Sequence, residues 1–102
     1  MKKLLILGAN PETVSLINIA KSKGIYTIVT DYDPNAFAKP YADKSYDVDG
    51  LDVDGLVALC KTEKVDGVIV GTADPLIKPY QKLCERIPEV QFVGGGKKQW
   101  LR

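Results

Sequence analysis

Short apolar runs of strand length alternate with segments of helical period along this chain, and no other feature restricts its fold as much. "LLIL" at 4–7, "YTIVTD" at 26–31, "DGVIVGT" at 66–72 and "VQFV" at 90–93 read as strands from their β-branched and aliphatic residues, and "SYDVD" at 45–49, which alternates weakly, reads as a short third strand at the sheet edge. The first run is apolar at every position, as a parallel strand covered on both faces requires. Strands separated by helical segments pair in parallel through crossovers and not as hairpins.

The connecting segments carry their own punctuation. Asn10 is placed to cap a first helix with Pro11 at its first position and Glu12 in its first turn; Val14, Ile17, Ile19 and Ala20 form its inner face and Gly24 ends it. The turn "YDPNA" leads to a short connecting helix around 36–41. Asp52 caps a second helix with Val53, Leu56, Leu59 and Cys60 at helical spacing, closing near Lys64. Asp74 and Pro75 open a third, whose inner face is Leu76, Ile77, Tyr80, Leu83, Cys84 and Ile87, with a kink expected at Pro79. The expected fold is α/β: a small doubly wound, Rossmann-like parallel sheet of about five strands, order 3-2-1-4-5, with helices on both faces.

A chain of 102 residues fits one domain, expected over 1–94, followed by an atypical tail over 95–102 that contains Trp100 and reads as a truncation point or linker. The net charge of +1, with no basic block, gives no footprint for nucleic acid or an anionic membrane surface. No transmembrane span is visible. Histidine is absent and Cys60 and Cys84 lie far apart, so zinc sites and histidine catalysis have no ligands or bases. Both cysteines fall on inner helix faces and read as core, which suits a reduced, cytoplasmic setting.

In a sheet of this order ligands sit where the winding reverses, at the carboxyl ends of the first and fourth strands. Gly8, Ala9 and Asn10 flank that crevice from one side, and Gly71, Thr72, Ala73 and Asp74 from the other. The first loop lacks two glycines of the dinucleotide fingerprint, Asn10 and Thr13 standing in their places, so a full pyrophosphate cradle is not expected. A helix amino terminus can still hold one phosphate or carboxylate, and a purely structural turn with an Asn10 cap remains open beside that reading. Asp31 stands where dinucleotide enzymes place a ribose-binding carboxylate, and it equally suits a turn. Asp74 can cap a helix and line the crevice at once. A phosphoacceptor receiver domain would need an acidic pair where "GAN" stands.

Taken together, "KKLLILGANPETVSLINIAKSKGIYTIVTDYDPNAFAKPYADKSYDVD" and "EKVDGVIVGTADPLIKPYQKLCERI" resemble the amino-terminal, pre-ATP-grasp domain of the ATP-grasp carboxylate–amine ligases, which include carbamoyl-phosphate synthase large-subunit-like proteins and purine-pathway ligases. The resemblance implies a substrate-side domain, not catalytically complete alone and with no catalytic residue of its own, partnered by a missing or separate ATP-grasp domain that supplies the ATP and Mg2+ sites. It implies substrate contacts at Gly8, Ala9, Asn10, Glu12, Asp31, Gly71, Thr72, Ala73 and Asp74, for a small carboxylate or amine. A face left bare by absent domains could serve for homodimerisation. The alternative is a stand-alone Rossmann-like module binding a nucleotide or small anion.

Overall fold

The computed structural model describes residues 2–49, 51–70 and 91–93. Strand β1 (Lys3–Leu7) is central, with β2 (Tyr26–Thr30) on one side and β4 (Gly67–Val70) on the other. Beyond β2 lies β3 (Lys44–Tyr46), and beyond β4 lies β5 (Gln91–Val93), giving the order β3-β2-β1-β4-β5 with every neighbouring pair parallel. The run β3-β2-β1-β4 is the order expected from the alternation of strands and helices. Helix α1 (Thr13–Ser22) connects β1 to β2, a 3-10 helix (Lys39–Tyr41) precedes β3, and α2 (Val53–Glu63) connects β3 to β4.

The unbroken apolar character of β1 is explained by two cores, one on each face of the sheet. Leu4 and Ile6 pack with Ile17 and Ala20 of α1, Val29 of β2, and Ala9, Ala36 and Ala38 from the loops. Leu5 and Leu7 point the other way, toward Leu56, Val57, Leu59 and Cys60 of α2, with Ile28, Val65 and Val68. Because side chains alternate along a strand, a strand buried on both faces needs apolar residues at every position. Leu4 to Leu7 are indeed all fully buried.

Helix boundaries differ from expectation in instructive ways. Regular α1 geometry starts at Thr13, with Glu12 at the cap position making no side-chain cap bond. Asn10 nevertheless performs the capping chemistry expected of it, since its Oδ1 accepts from the Thr13 N–H at 3.2 Å. Residues 11 and 12 form the turn leading in, so Glu12 is not in the first helical turn. Ile19 faces out at 48% exposure, because the buried stripe is Thr13, Ile17 and Ala20 and a residue two places from Ile17 falls on the opposite side. At the other end Gly24, at φ +75°, closes α1: its N–H donates to the Lys21 carbonyl, and the Ile25 N–H to the Ala20 carbonyl, a Schellman pair.

Helix α2 begins as predicted at Asp52, whose Oδ1 accepts from the Gly55 N–H at 3.0 Å. It ends on Lys64 in the left-handed region, at φ 56°. A Cβ added at Gly55 would stand 2.5 Å from Asp52 Oδ2 and 3.2 Å from Val48 Cγ1. The usual gain of about 1 kcal/mol for replacing a helical glycine with alanine is therefore reversed at this half-buried position. Gly55→Ala should lower stability in a urea titration by about 1 kcal/mol, the worth of a displaced amino-terminal cap. A gain would show that the cap moves aside freely.

Strands β2 and β3 are shorter than the apolar runs suggested, ending at Thr30 and Tyr46. Residues 71–90 and 94–102 lie outside the described residues, and with them the third helix, the Pro79 kink, Cys84, Trp100 and the proposed domain boundary. Among the described residues no helix is long and apolar enough to cross a membrane.

Candidate functional site

Leu7 lies opposite Thr30 on one side and Val70 on the other, so three strands deliver their carboxyl ends to one edge of the sheet. From β1 the chain turns through Gly8, whose φ of +95° favours glycine and whose N–H donates to the Thr30 carbonyl at 2.9 Å. Ala9 comes next, fully buried, and both of its backbone groups are tied to the β2–β3 connection. Its N–H donates to Asp31 Oδ2 at 3.0 Å, and its carbonyl accepts from the Ala38 N–H at 3.0 Å.

Asp31 is thus the hinge-pin of the described site. Its Oδ1 accepts from the Asp33 N–H at 3.0 Å, closing the turn predicted at "YDPN", while Oδ2 crosses to Ala9. Asp33 repeats the device on Asn35 at 2.9 Å. The turn role expected of Asp31 is present, and its carboxylate stands beside the first-strand loop. Each oxygen holds a second lone pair, so the carboxylate can still accept from a ligand hydroxyl or amine.

Asn10 and Thr13 shape the next turn. The Thr13 hydroxyl is buried within reach of Asn10 Oδ1 at 3.0 Å and the Gly8 carbonyl at 3.3 Å. The Thr13 N–H also points at the Asn10 carbonyl, and the Val14 N–H donates to the Pro11 carbonyl. The N–H groups of Gly8, Ala9, Thr13 and Val14 are therefore all committed to protein acceptors. A phosphate cradle built from these donors is not on offer, which weakens the anion-binding reading of the bare helix start. Glu12 is exposed at the rim. Gly71, Thr72, Ala73 and Asp74 lie outside the described residues, although β4, which leads to them, ends beside β1.

Two charged residues of consequence escaped the sequence reading. Lys39 is 6% exposed, with its Nζ 2.9 Å from the Asp31 carbonyl and 2.5 Å from Asp47 Oδ1. It opens the 3-10 helix Lys39–Tyr41, a single turn too short to carry an amphipathic pattern that would announce its burial. Glu63 lies under the opposite face, where its carboxylate accepts from Lys44 at 2.8 Å, Lys3 at 3.5 Å and the Tyr46 hydroxyl. Here a signal did exist, since Glu63 is four residues beyond Leu59 and seven beyond Leu56 on the buried stripe of α2. Lys44 and Tyr46 hold the Glu63 carboxyl below its usual range; Glu63 in turn raises both Lys44 and Tyr46. Cys60 is buried and free, and burial pushes its thiol up to about 12, which removes it as a nucleophile at neutral pH.

No protein-family model matches the sequence, and no curated protein matches it. Solved structures do. Phosphoribosylglycinamide synthetase from Anaerococcus prevotii is 31% identical, with a TM-score of 0.74 over 85% of this chain and 22% of its own. N5-carboxyaminoimidazole ribonucleotide synthetase from Thermotoga maritima is 24% identical, with a TM-score of 0.74 over 90% of this chain and 24% of its own. The chain has the fold of the pre-ATP-grasp domain. The biotin carboxylase domain dimer of the Hydrogenobacter thermophilus 2-oxoglutarate carboxylase, solved with MgADP and bicarbonate, shares that pre-ATP-grasp fold at 21% identity, with a TM-score of 0.73 over 91% of this chain and 22% of its own. The chain spans roughly a quarter of the length of these relatives, so it corresponds to a fragment of each.

Proposed function

We propose that this chain is the substrate-side, amino-terminal domain of an ATP-dependent carboxylate–amine ligase and is not catalytically complete by itself. The observation that carries the reading is the match to phosphoribosylglycinamide synthetase, 31% identical across most of this chain and confined to 22% of that one. In this reading ATP and Mg2+ are held by a separate ATP-grasp domain, in cis or as a partner, in a cytoplasmic enzyme. The neighbour solved with MgADP is the precedent for the nucleotide, and its dimeric state for a homodimer here.

The chain's own residues then bind and orient. Gly8, Ala9 and Asn10 form one wall of the crevice, with Glu12 at its rim and Asp31 behind it. Gly71, Thr72, Ala73 and Asp74, which follow β4 in the sequence, are the substrate contacts that this reading adds. Asp31 offers an acceptor to a substrate amine or hydroxyl, and the committed backbone donors keep the wall in one shape, so a substrate meets a preorganised surface. The ATP-grasp domain supplies activation of a carboxylate, and this domain presents the acceptor or the acid to it.

Mixing the chain with an ATP-grasp polypeptide that lacks this domain should give a complex in size-exclusion chromatography and restore ATP turnover. The absence of both association and restored turnover would count heavily against the reading. The alternative, a stand-alone nucleotide or anion module, predicts tight binding of ATP or NAD by the isolated chain in calorimetry. The four committed N–H groups of the first loop and first helical turn disfavour it.

A further inference from the structure

Lys39 is a buried ammonium at the start of the short 3-10 helix in the β2–β3 connection. Removing such a group from water is unfavourable unless acceptors meet its protons. Asp47 meets one, but the Asp47 side chain is 64% exposed, so that ion pair is half in water. The second contact, to the Asp31 carbonyl at 2.9 Å, reaches the crevice. Asp31 holds the Ala9 N–H through its carboxylate, and Ala38, the residue before Lys39, holds the Ala9 carbonyl. One residue of the first-strand loop is therefore gripped through both of its backbone groups by the 31–39 connection, and Lys39 ties the two ends of that connection together.

We infer that Lys39 is a positioning residue for the crevice wall: acting through Asp31, it fixes the backbone of Ala9 and with it the loop from Gly8 to Asn10. The inference rests on the reading of that loop as a substrate wall. Its physical content is local. Without the ammonium the Asp31 carbonyl loses its donor, the turn at Asp31 loosens, and the Ala9 amide opens to solvent more often while the sheet beneath it stays paired.

Amide hydrogen exchange followed by NMR on the 102-residue chain tests this. Lys39→Met keeps the stem and removes the donors; the Ala9 and Ala38 amides should exchange about tenfold faster relative to Leu5 and Ile6 in β1. Lys39→Arg, which restores donors, should recover their protection. Asp47→Asn, at an exposed side chain, should accelerate the same two amides about two- to threefold. A common factor at all four amides in Lys39→Met would mean a merely structural lysine, and an unchanged Ala9 amide would also overturn the inference. If Lys39→Met does not fold, Asp47→Asn decides, and no change at Ala9 then overturns it. No partner enters this experiment, so its failure leaves the ligase reading standing. Failure of the mixing experiment, in turn, leaves the clamp measurable.

Discussion

Asp31→Ala should lower the stability of the chain by about 2–3 kcal/mol, chiefly because it orphans a buried donor. Ala9 is fully buried, and its N–H has Asp31 Oδ2 as acceptor at 3.0 Å. Removing the carboxylate leaves that N–H without a partner in a place where water does not readily replace it. The Asp33 N–H also loses its acceptor, but Asp33 is exposed and water can substitute there. Asp31→Asn isolates the effect, since its carboxamide keeps one oxygen for Ala9; it should recover at least half of the loss. Urea unfolding of the two variants against the parent chain gives the comparison. If Asp31→Ala shifts stability by less than about 0.5 kcal/mol, the size of an ordinary surface substitution, Asp31 is not an anchor of the loop. On the proposed ligase reading the same variant weakens acceptor binding as well, because that reading gives Asp31 both the loop and a substrate contact.

The difference between what could be read in advance and what could not follows from the range of the interactions. The Asp52 cap, the closure of α1 by Gly24 and the buried run of β1 depend on residues within a few positions of each other, and each was legible. The turn half of Asp31's role is equally local, a carboxylate reaching the N–H two residues on. Its other half spans 22 residues and exists only because β1 and β2 pair with Leu7 opposite Thr30, which sets the residue after Thr30 beside the loop after Leu7. Parallel order fixed which strands neighbour each other, but not that register. Lys39 lay beyond reach for a related reason: a lysine in a single 3-10 turn reads as solvated, and only the closing of the 31–39 connection over Ala9 buries it. Ile19 was misjudged more simply, because an aliphatic residue was assigned inward against the phase of its helix.

Glu63→Gln should show its effect in the pH dependence of stability. The Glu63 carboxyl is held below its usual range by Lys44 and then Tyr46, so its contribution is complete above the unfolded value of roughly 4.3 and lost as pH falls through the lower folded value. Lys44 and Tyr46 are both raised by Glu63, so their contributions are complete below their unfolded values, roughly 10.4 and 10, and lost as pH rises past them. The gap in urea midpoint between the parent chain and Glu63→Gln should therefore be widest and flat from about pH 5 to 9, and close on both flanks. On the plateau it should be about 1 kcal/mol. Breaking a fully buried pair would do more, but the side chains of Lys3 and Lys44 are 36% and 48% exposed and rehydrate when the carboxylate goes. This cluster joins β1, β3 and the end of α2 below the face opposite α1, away from the loop at Ala9. A gap that widened in acid would reverse the sign of the linkage and refute the account of Glu63 as a charged staple; Lys39→Met, by contrast, should leave this profile unchanged.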